Sequence, residues 1–193
     1  TGGSGGGGTT LTEYGENLLN TYFLLKAEQK KFIENLNRIT DLNTGTLKDI
    51  RRLSMQISAR NQIMGVVEKI SHGAVNAEVQ IKLKSGNSLV SIITNTATEN
   101  LELNIDDEVI AVIKSSNVLL STENEMKLSA RNCIKGVIEG INQGEVNSEV
   151  VINIGNEDKM VTIITTNSIK NMNLKVGTKV NAIIKASDIM IGR

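Results

Sequence analysis

Two polar motifs, each containing one cation, occur twice in this chain. Ser58-Ala59-Arg60-Asn61 returns as Ser129-Ala130-Arg131-Asn132, and Lys114, which ends an apolar run, returns as Lys185. A small dianion is bound well when backbone N–H groups, hydroxyls and cationic side chains converge on it. The small residues of the first motif also let backbone amides approach such a ligand closely. The two motifs together predict a binding site for an anion.

The predicted anion ligands also include hydroxyls and a helical turn. Thr94 ends a predicted strand, and Ala97 opens the following turn, where backbone N–H groups are expected to be free. The alternative is that the first motif caps a strand, Thr94 favours β structure and Lys114 is a solvated charge. The recurrence of the polar set favours the anion site. The candidates are Ser58, Ala59, Arg60, Asn61, Thr94, Ala97, Lys114 and Ser115 in the first copy, and Ser129, Ala130, Arg131, Asn132, Thr165, Ser168, Lys185, Ala186 and Ser187 in the second.

The motifs belong to a larger repeat. Residues 58–121 align with residues 129–192 without a gap, and 26 of the 64 aligned pairs are identical. A module of this size buries too little surface to be stable alone, so we expect pairing between the copies or between chains.

Apolar and polar residues alternate within each copy, which is typical of half-buried strands. Five short strands with a small helix between the third and fourth follow the order of a partly open OB-like barrel. Two such barrels in tandem are predicted. In the first copy the strands are predicted at 63–70, 75–83, 89–94, 108–114 and 118–120, with the helical turns at 96–103.

The segment before the repeats has a different composition. A glycine-dense run over residues 1–10 has the composition of a flexible linker, and helical periodicity then predicts an amphipathic helix from Thr12 to about Arg38. A second, short helix is predicted from Thr46 to about Met55. The predicted fold class is α+β: a helical arm over residues 1–57, a first barrel over 58–121 and a second over 122–193.

Composition excludes several classes of function. Acidic and basic residues balance at 21 each, which argues against a surface that coats polyanions. No aromatic residue occurs from Ser58 onward, so the barrels have no platform on which to stack bases, a contact worth about 1–3 kcal/mol each. No run of apolar residues is long enough for a membrane span. The single Cys133 cannot form an internal disulfide, so a cytoplasmic location is expected.

No enzyme is predicted. His72 is the only histidine and is replaced by Gln143 in the second copy, so a turn role is favoured for it, and no zinc site is expected. Glu78 and Glu149 recur, and a hydrogen-bonding role at a barrel corner is favoured for them over an acid–base pair.

The repeats resemble the molybdenum-pterin-binding (Mop, or TOBE) domains. The resemblance lies in Ser58-Ala59-Arg60-Asn61-Gln62, in Gly73-Ala74-Val75-Asn76-Ala77-Glu78-Val79 and in Val112-Ile113-Lys114-Ser115-Ser116. It implies two OB-like modules that bind molybdate or tungstate at interfaces between modules.

The N-terminal part resembles the wing and following helix of ModE-type molybdate-responsive transcription regulators. The resemblance lies in the glycine run followed by Leu11-Thr12-Glu13-Tyr14-Gly15-Glu16-Asn17-Leu18. It implies that Gly5, Gly6 and Gly7 belong to a DNA-contacting wing, while the recognition helix of that family is missing from this chain. Promoter DNA is therefore expected as a partner only where a helix-turn-helix is present.

The resemblance and the apolar stripe of the helix together predict a homodimer with molybdate or tungstate as its bound ligand and no organic cofactor. The alternatives are a molybdate or tungstate storage protein, and an accessory domain of a molybdate transporter ATPase.

Overall fold

The computed structural model describes residues 11–40, with side chains as far as Ile33, and residues 57–123 and 126–193. The chain divides into two compact units, Thr1–Ile57 and Ser58–Arg193. The predicted boundary at residue 122 between two barrels stays a prediction, because the second unit contains both repeats.

The first unit contains the predicted long helix, α1, which spans Glu13–Thr40. Thr12 caps its first turn, since the hydroxyl accepts from the Gly15 N–H at 3.2 Å, and Glu13 and Glu16 lie near the positive end of the helix dipole. The predicted helix at Thr46–Met55 and the glycine run lie outside the described residues. The large apolar side chains of α1 are exposed: Tyr14, Leu18, Leu19, Tyr22, Phe23, Leu24, Leu25, Phe32 and Ile33.

The second unit repeats one order of elements twice, and this confirms the predicted pattern of five strands with a helix after the third. The first repeat contains β1 (Asn61–His72), β2 (Asn76–Leu83), β3 (Ser88–Thr94), α2 (Asn95–Asn100), β4 (Glu108–Ile113), a 3₁₀ turn (Ser115–Asn117) and β5 (Leu119–Ser121). The second contains β6 (Asn132–Asn142), β7 (Asn147–Gly155), β8 (Asp158–Thr165), α3 (Thr166–Asn171), β9 (Lys179–Ile184), a 3₁₀ turn (Ala186–Asp188) and β10 (Ile189–Gly192).

The helix α2 is shorter than the predicted turns at 96–103. It ends at Asn100 because Leu101 caps it and Glu102 then adopts a left-handed conformation with φ 47°. Asn173, the equivalent residue after α3, does the same with φ 49°.

The last strand of each repeat is exchanged with the other repeat. One antiparallel sheet has the order β10-β4-β1-β2-β3, and the other has the order β5-β9-β6-β7-β8. The expectation that each barrel uses its own fifth strand is therefore wrong. Strand composition could not reveal this, because β5 and β10 are short apolar segments that can pair with either repeat. As a result, neither sheet is complete without the other half of the unit.

In each curled sheet, one buried hydroxyl connects the strands at the two edges. Ser91 on β3 donates to the Ile189 carbonyl on β10, and Thr162 on β8 donates to the Val118 carbonyl just before β5, both at 2.6 Å. Both hydroxyl residues are completely buried. Since each acceptor belongs to the other repeat, these bonds hold the exchanged strands in place.

The core consists of inward-facing Val, Ile and Leu side chains of both repeats, which form one cluster. Two glycines at equivalent positions permit close packing between strands within it. A Cβ on Gly65 would lie 2.5 Å from Ile81 Cγ2, and one on Gly136 would lie 2.5 Å from Ile152 Cγ2. A larger residue at either position would push apart the strands that carry the candidate site.

Candidate oxyanion site

The asparagine of each Ser-Ala-Arg-Asn motif is buried and joins the two repeats. Asn61 donates to the Val161 carbonyl at 2.8 Å and accepts from the Val161 N–H at 2.6 Å. Asn132 makes the reciprocal pair with Val90 at 2.9 and 2.7 Å, and also donates to the Ile184 carbonyl at 3.3 Å. The side-chain amides of Asn61 and Asn132 are therefore hydrogen-bonded within the fold. We accordingly propose that these two residues position the motif and do not themselves bind the anion.

The arginine of each motif also reaches the other repeat. Arg60 Nη2 donates to Glu149 Oε2 at 2.6 Å, and Arg131 Nη2 donates to Glu78 Oε1 at 2.9 Å. The two arginines are more than half exposed, with side-chain exposures of 57% and 60%. The recurring glutamates, which the sequence assigns to barrel-corner hydrogen bonds, are therefore ion-pair partners of candidate ligands.

A lysine lies next to each arginine because of strand register. Asn61 pairs with Ile113 across β1 and β4, so Lys114 is opposite Arg60. Asn132 pairs with Ile184 across β6 and β9, so Lys185 is opposite Arg131. Both lysines are exposed, and neither side chain has a hydrogen bond or ion pair with any residue that the structure describes. Each motif pair thus presents one paired and one unpaired cation.

The residues after each lysine differ in exposure. Ser115 and the equivalent Ala186 are each only 5% exposed, so their side chains do not face solvent. Ser116 and the equivalent Ser187 are exposed. Ser116 is therefore the better candidate in the first repeat. Ser116 could have been identified from the sequence, because it aligns with Ser187, a candidate in the second repeat.

The two threonines cap the short helices. Thr94 Oγ1 accepts from the Ala97 N–H at 3.1 Å, and Thr165 Oγ1 accepts from the Ser168 N–H at 3.1 Å. The expectation that the Ala97 N–H is free is therefore wrong, because the threonine cap uses it. Thr94 and Thr165 are themselves exposed at the ends of their strands.

Strand register places each threonine on the same face as the glutamate that binds the opposite arginine. Glu149 pairs with Ile163 on β8, and Thr165 lies two residues further along that strand, so both side chains lie on one face. Glu78 pairs with Ile92 on β3, two residues before Thr94. The glutamate that binds each motif arginine therefore shares a sheet face with the candidate threonine of the same repeat, which is the repeat opposite to the arginine.

From strand register and the two arginine–glutamate pairs we assign these residues to two candidate sites, which we call the first and second sites. To the first site we assign Ser58, Arg60, Lys114 and Ser116 of the first repeat with Thr165 and Ser168 of the second. To the second site we assign Ser129, Arg131, Lys185 and Ser187 of the second repeat with Thr94 of the first. Each site brings together two cations and several hydroxyls, which suits a small oxyanion.

Comparison with known proteins identifies this arrangement. The TOBE domain family matches residues 57–120 and 128–191. The molybdenum transport protein ModE of Azotobacter vinelandii is 37% identical over 195 residues, covering 98% of this chain and 72% of that protein. The chain belongs to the ModE family, and its repeats are TOBE domains. The DNA-binding transcriptional dual regulator ModE of Escherichia coli strain K12 is 30% identical over 194 residues, covering 99% of this chain and 73% of that protein.

A solved structure supports the same fold for the two TOBE domains. The cytoplasmic molybdate-binding protein ModG, crystallised with molybdate bound, matches with a TM-score of 0.69 and 38% sequence identity. The match covers 72% of this chain and 99% of ModG. It confirms the prediction of two tandem OB-like domains.

The two TOBE domains differ at one position beside the threonine cap. Ser168 of the second domain places its hydroxyl 2.8 Å from the Thr165 hydroxyl, whereas the first domain has Ala97 at the equivalent position. Since Thr165 is assigned to the first candidate site, the extra hydroxyl is assigned to that site as well, and the second candidate site has one hydroxyl fewer.

The remaining chemistry-bearing residues are not placed for metal binding. No group of three or more His, Cys, Asp or Glu residues within the described ranges could hold a metal ion. His72 lies at the end of β1 with Nδ1 3.3 Å from Asn95 Oδ1. Among the described helices, none is long and apolar enough to cross a membrane.

Proposed function

We propose that this chain is the molybdate- or tungstate-sensing part of a transcription regulator, with one anion bound in each of the two sites. The observation that carries the proposal is that each motif arginine reaches the other repeat and lies opposite a lysine in strand register. One arginine and one lysine balance the charge of a dianion, and the hydroxyls supply neutral donors around it. Molybdate binding by ModG and the names of the ModE relatives support the same conclusion.

The N-terminal unit links anion binding to promoter DNA. We infer from the resemblance to the ModE wing that Gly5, Gly6 and Gly7 contact DNA, and a helix-turn-helix must accompany them to read a promoter. The name of the Escherichia coli relative, a DNA-binding regulator, supports this role. Promoter DNA is accordingly a partner only when that helix-turn-helix is present.

The helix α1 makes the protein a homodimer. Its row of exposed apolar side chains would be costly in water unless a partner surface covers it, and twofold pairing is the commonest closed arrangement. Light scattering should give a dimer for the whole chain and a monomer for a chain that starts at Gln56. A monomeric whole chain would refute the dimer, and equal dimerisation of the shorter chain would place the interface in the TOBE domains.

The protein acts as a binding protein in the cytoplasm and not as an enzyme. The relatives include a transcriptional regulator, a molybdenum transport protein and a molybdenum-pterin-binding protein, and ModG is described as cytoplasmic. A storage role is the second candidate. Two complete copies of the Ser-Ala-Arg-Asn motif favour it.

Calorimetry tests the proposal directly. Molybdate and tungstate should bind the whole chain, and sulfate at equal concentration should not match their binding heats. Arg60→Ala and Lys114→Ala, or Arg131→Ala and Lys185→Ala, should each weaken binding about ten- to a hundredfold by removing a charge-assisted donor. His72→Gln should have no effect. Equal, weak heats for all three anions would refute anion sensing and storage together.

A further inference from the structure

The pairing between motif arginines and recurring glutamates is specific to the candidate sites. Four glutamates recur at equivalent positions: Glu68, Glu78, Glu139 and Glu149. Glu68 contacts Gln80 at 2.8 Å and Glu139 contacts Lys159 at 2.7 Å, both within their own repeat. Glu78 and Glu149 instead bind the arginine of the other repeat's motif. Glu78 and Glu149 therefore lie at the interface between the repeats, where the candidate sites are located.

Each of these glutamates accepts a hydrogen bond from a guanidinium group that the oxyanion would also bind. A carboxylate and a tetrahedral oxyanion both bind guanidinium through negatively charged oxygens, so they compete for the same N–H donors. Without the anion, the first site holds Arg60, Lys114 and Glu149, which leaves one net positive charge. A dianion that enters the site meets one cation already neutralised and one carboxylate that repels it.

The arginine side chains are free to exchange one hydrogen-bond partner for another, whereas the asparagine side chains next to them in the motif are fixed. Arg60 and Arg131 are more than half exposed and each makes one hydrogen bond to glutamate through a single nitrogen. The adjacent Asn61 and Asn132 are 2% exposed and fixed to the backbone of the other repeat. The backbone of the motif therefore stays in place while the guanidinium group exchanges one oxygen partner for another.

We infer that Glu149 and Glu78 are internal counter-ions that compete with the oxyanion for Arg60 and Arg131 and thereby lower the affinity of the two sites. In the absence of ligand, the same ion pairs help to join the repeats. This inference rests on the proposed function. It means that the two glutamates set the anion concentration at which the sites become filled.

The two sites should respond unequally. The Arg60–Glu149 contact is the shorter one at 2.6 Å, and its glutamate side chain is 24% exposed. The Arg131–Glu78 contact is 2.9 Å, and its glutamate side chain is 39% exposed. Solvent screens the second pair more strongly, so Glu149 should compete more effectively than Glu78.

Calorimetric titration of the whole chain with sodium molybdate tests the competition. Glu149→Gln keeps an oxygen that can accept from Arg60 but removes the charge, and it should tighten molybdate binding at the first site by about tenfold, the scale of a unit charge acting on a nearby dianion in a partly solvated site. Glu78→Gln should give a smaller gain at the second site. The matched controls Glu68→Gln and Glu139→Gln remove equivalent charges away from the sites and should leave the affinity unchanged.

Two further measurements separate competition from a merely structural role. The ligand-free Glu149→Gln chain should melt slightly below the wild type, although it binds molybdate more tightly, since a purely structural role would weaken both properties. In an Arg60→Ala background, Glu149→Gln should give a much smaller gain, because no guanidinium is left to release.

The possible outcomes distinguish this inference from the proposed function. A wild-type chain that does not bind molybdate overturns the proposed function. A wild-type chain that binds molybdate, together with a Glu149→Gln chain that binds it equally or more weakly, overturns the competition and makes Glu149 a residue that holds Arg60 in position for the anion. A gain that persists in full without Arg60 also overturns competition for the arginine.

Discussion

In the first repeat Asn61 binds the backbone of Val161, and in the second repeat Asn132 binds the backbone of Val90. The arginine–glutamate pairs and the Ser91 and Thr162 hydroxyl bonds are reciprocal in the same way. Every one of these contacts crosses from one repeat to the other. These kinds of polar contact are therefore kept at equivalent positions in both repeats.

The repeats differ in turns that face solvent. At one turn the first repeat has Gly86 with φ 84°, where the second has Glu157 with φ 67°. At another, the first repeat has Asp106 with φ 72°, where the second has Gly177 with φ 88°. The backbone conformation is the same in both repeats, but only one repeat at each turn has the residue that adopts it without strain. The reciprocal contacts between the repeats therefore use the same kinds of side chain in both copies, whereas these turn positions do not.

The largest effect is expected from removing the asparagines that join the repeats. Asn132→Ala leaves the Val90 N–H and carbonyl groups without their partner and should lower the free energy of unfolding by about 2–4 kcal/mol. Asn61→Ala should cost somewhat less, because Asn61 lacks the third bond that Asn132 makes to Ile184. Urea denaturation followed by circular dichroism measures both. Asn76→Ala, at an exposed residue, is the control, and an equally large loss there would contradict the comparison.

The buried hydroxyls that connect the exchanged strands should have the next largest effect. Thr162→Val keeps the shape of the side chain but removes the donor to the Val118 carbonyl, and should cost about 1–2 kcal/mol of stability. Ser91→Ala should cost a similar amount through Ile189. If neither substitution changes the denaturation midpoint, these hydroxyls do not secure the exchanged strands.

A smaller effect on stability is expected from a contact that only one repeat has. Arg193 donates to the Leu101 and Glu102 carbonyls and to Asp107, so it holds the turn after α2, whereas Thr122 occupies the equivalent position in the other repeat. Arg193→Thr should lower stability by about 1 kcal/mol, because the contacts are partly exposed. Hydrogen exchange should show faster exchange around residues 101–107 and no change around residues 172–178. Equal change in both turns would contradict this assignment.

The smallest effect, and one of opposite sign, is expected at the left-handed turns. Asp106→Gly and Glu157→Gly should each stabilise the chain by about 0.5–1 kcal/mol, since glycine adopts positive φ without the steric cost of a Cβ. Gly86→Ala and Gly177→Ala should destabilise it by a similar amount. Thermal melts of the four variants measure the differences. A stabilising Gly→Ala change would show that strain at these turns is negligible.

Much of the fold could be predicted because the information is local. The alternation of Val and Ile with polar residues predicts each strand, and Thr12 with Glu13 and Glu16 predicts the start of α1. The arginine and lysine of each site could be found because recurrence separates retained polar residues from variable surface positions. Their assignment to sites needed the structure, because Arg60 contacts Glu149 only after the chain has folded back over 89 residues.

Residue types and their spacing were enough to predict the number of modules, the type and order of their elements and the cations available to an anion. The tertiary structure decided that β5 and β10 exchange between repeats, that Asn61 and Asn132 are used within the fold, and that Glu149 and Glu78 bind the motif arginines. Two nearly equivalent repeats offer equivalent partners within and across copies. Their local sequences cannot distinguish the two pairings, and the joint burial of both cores selects the pairing across copies.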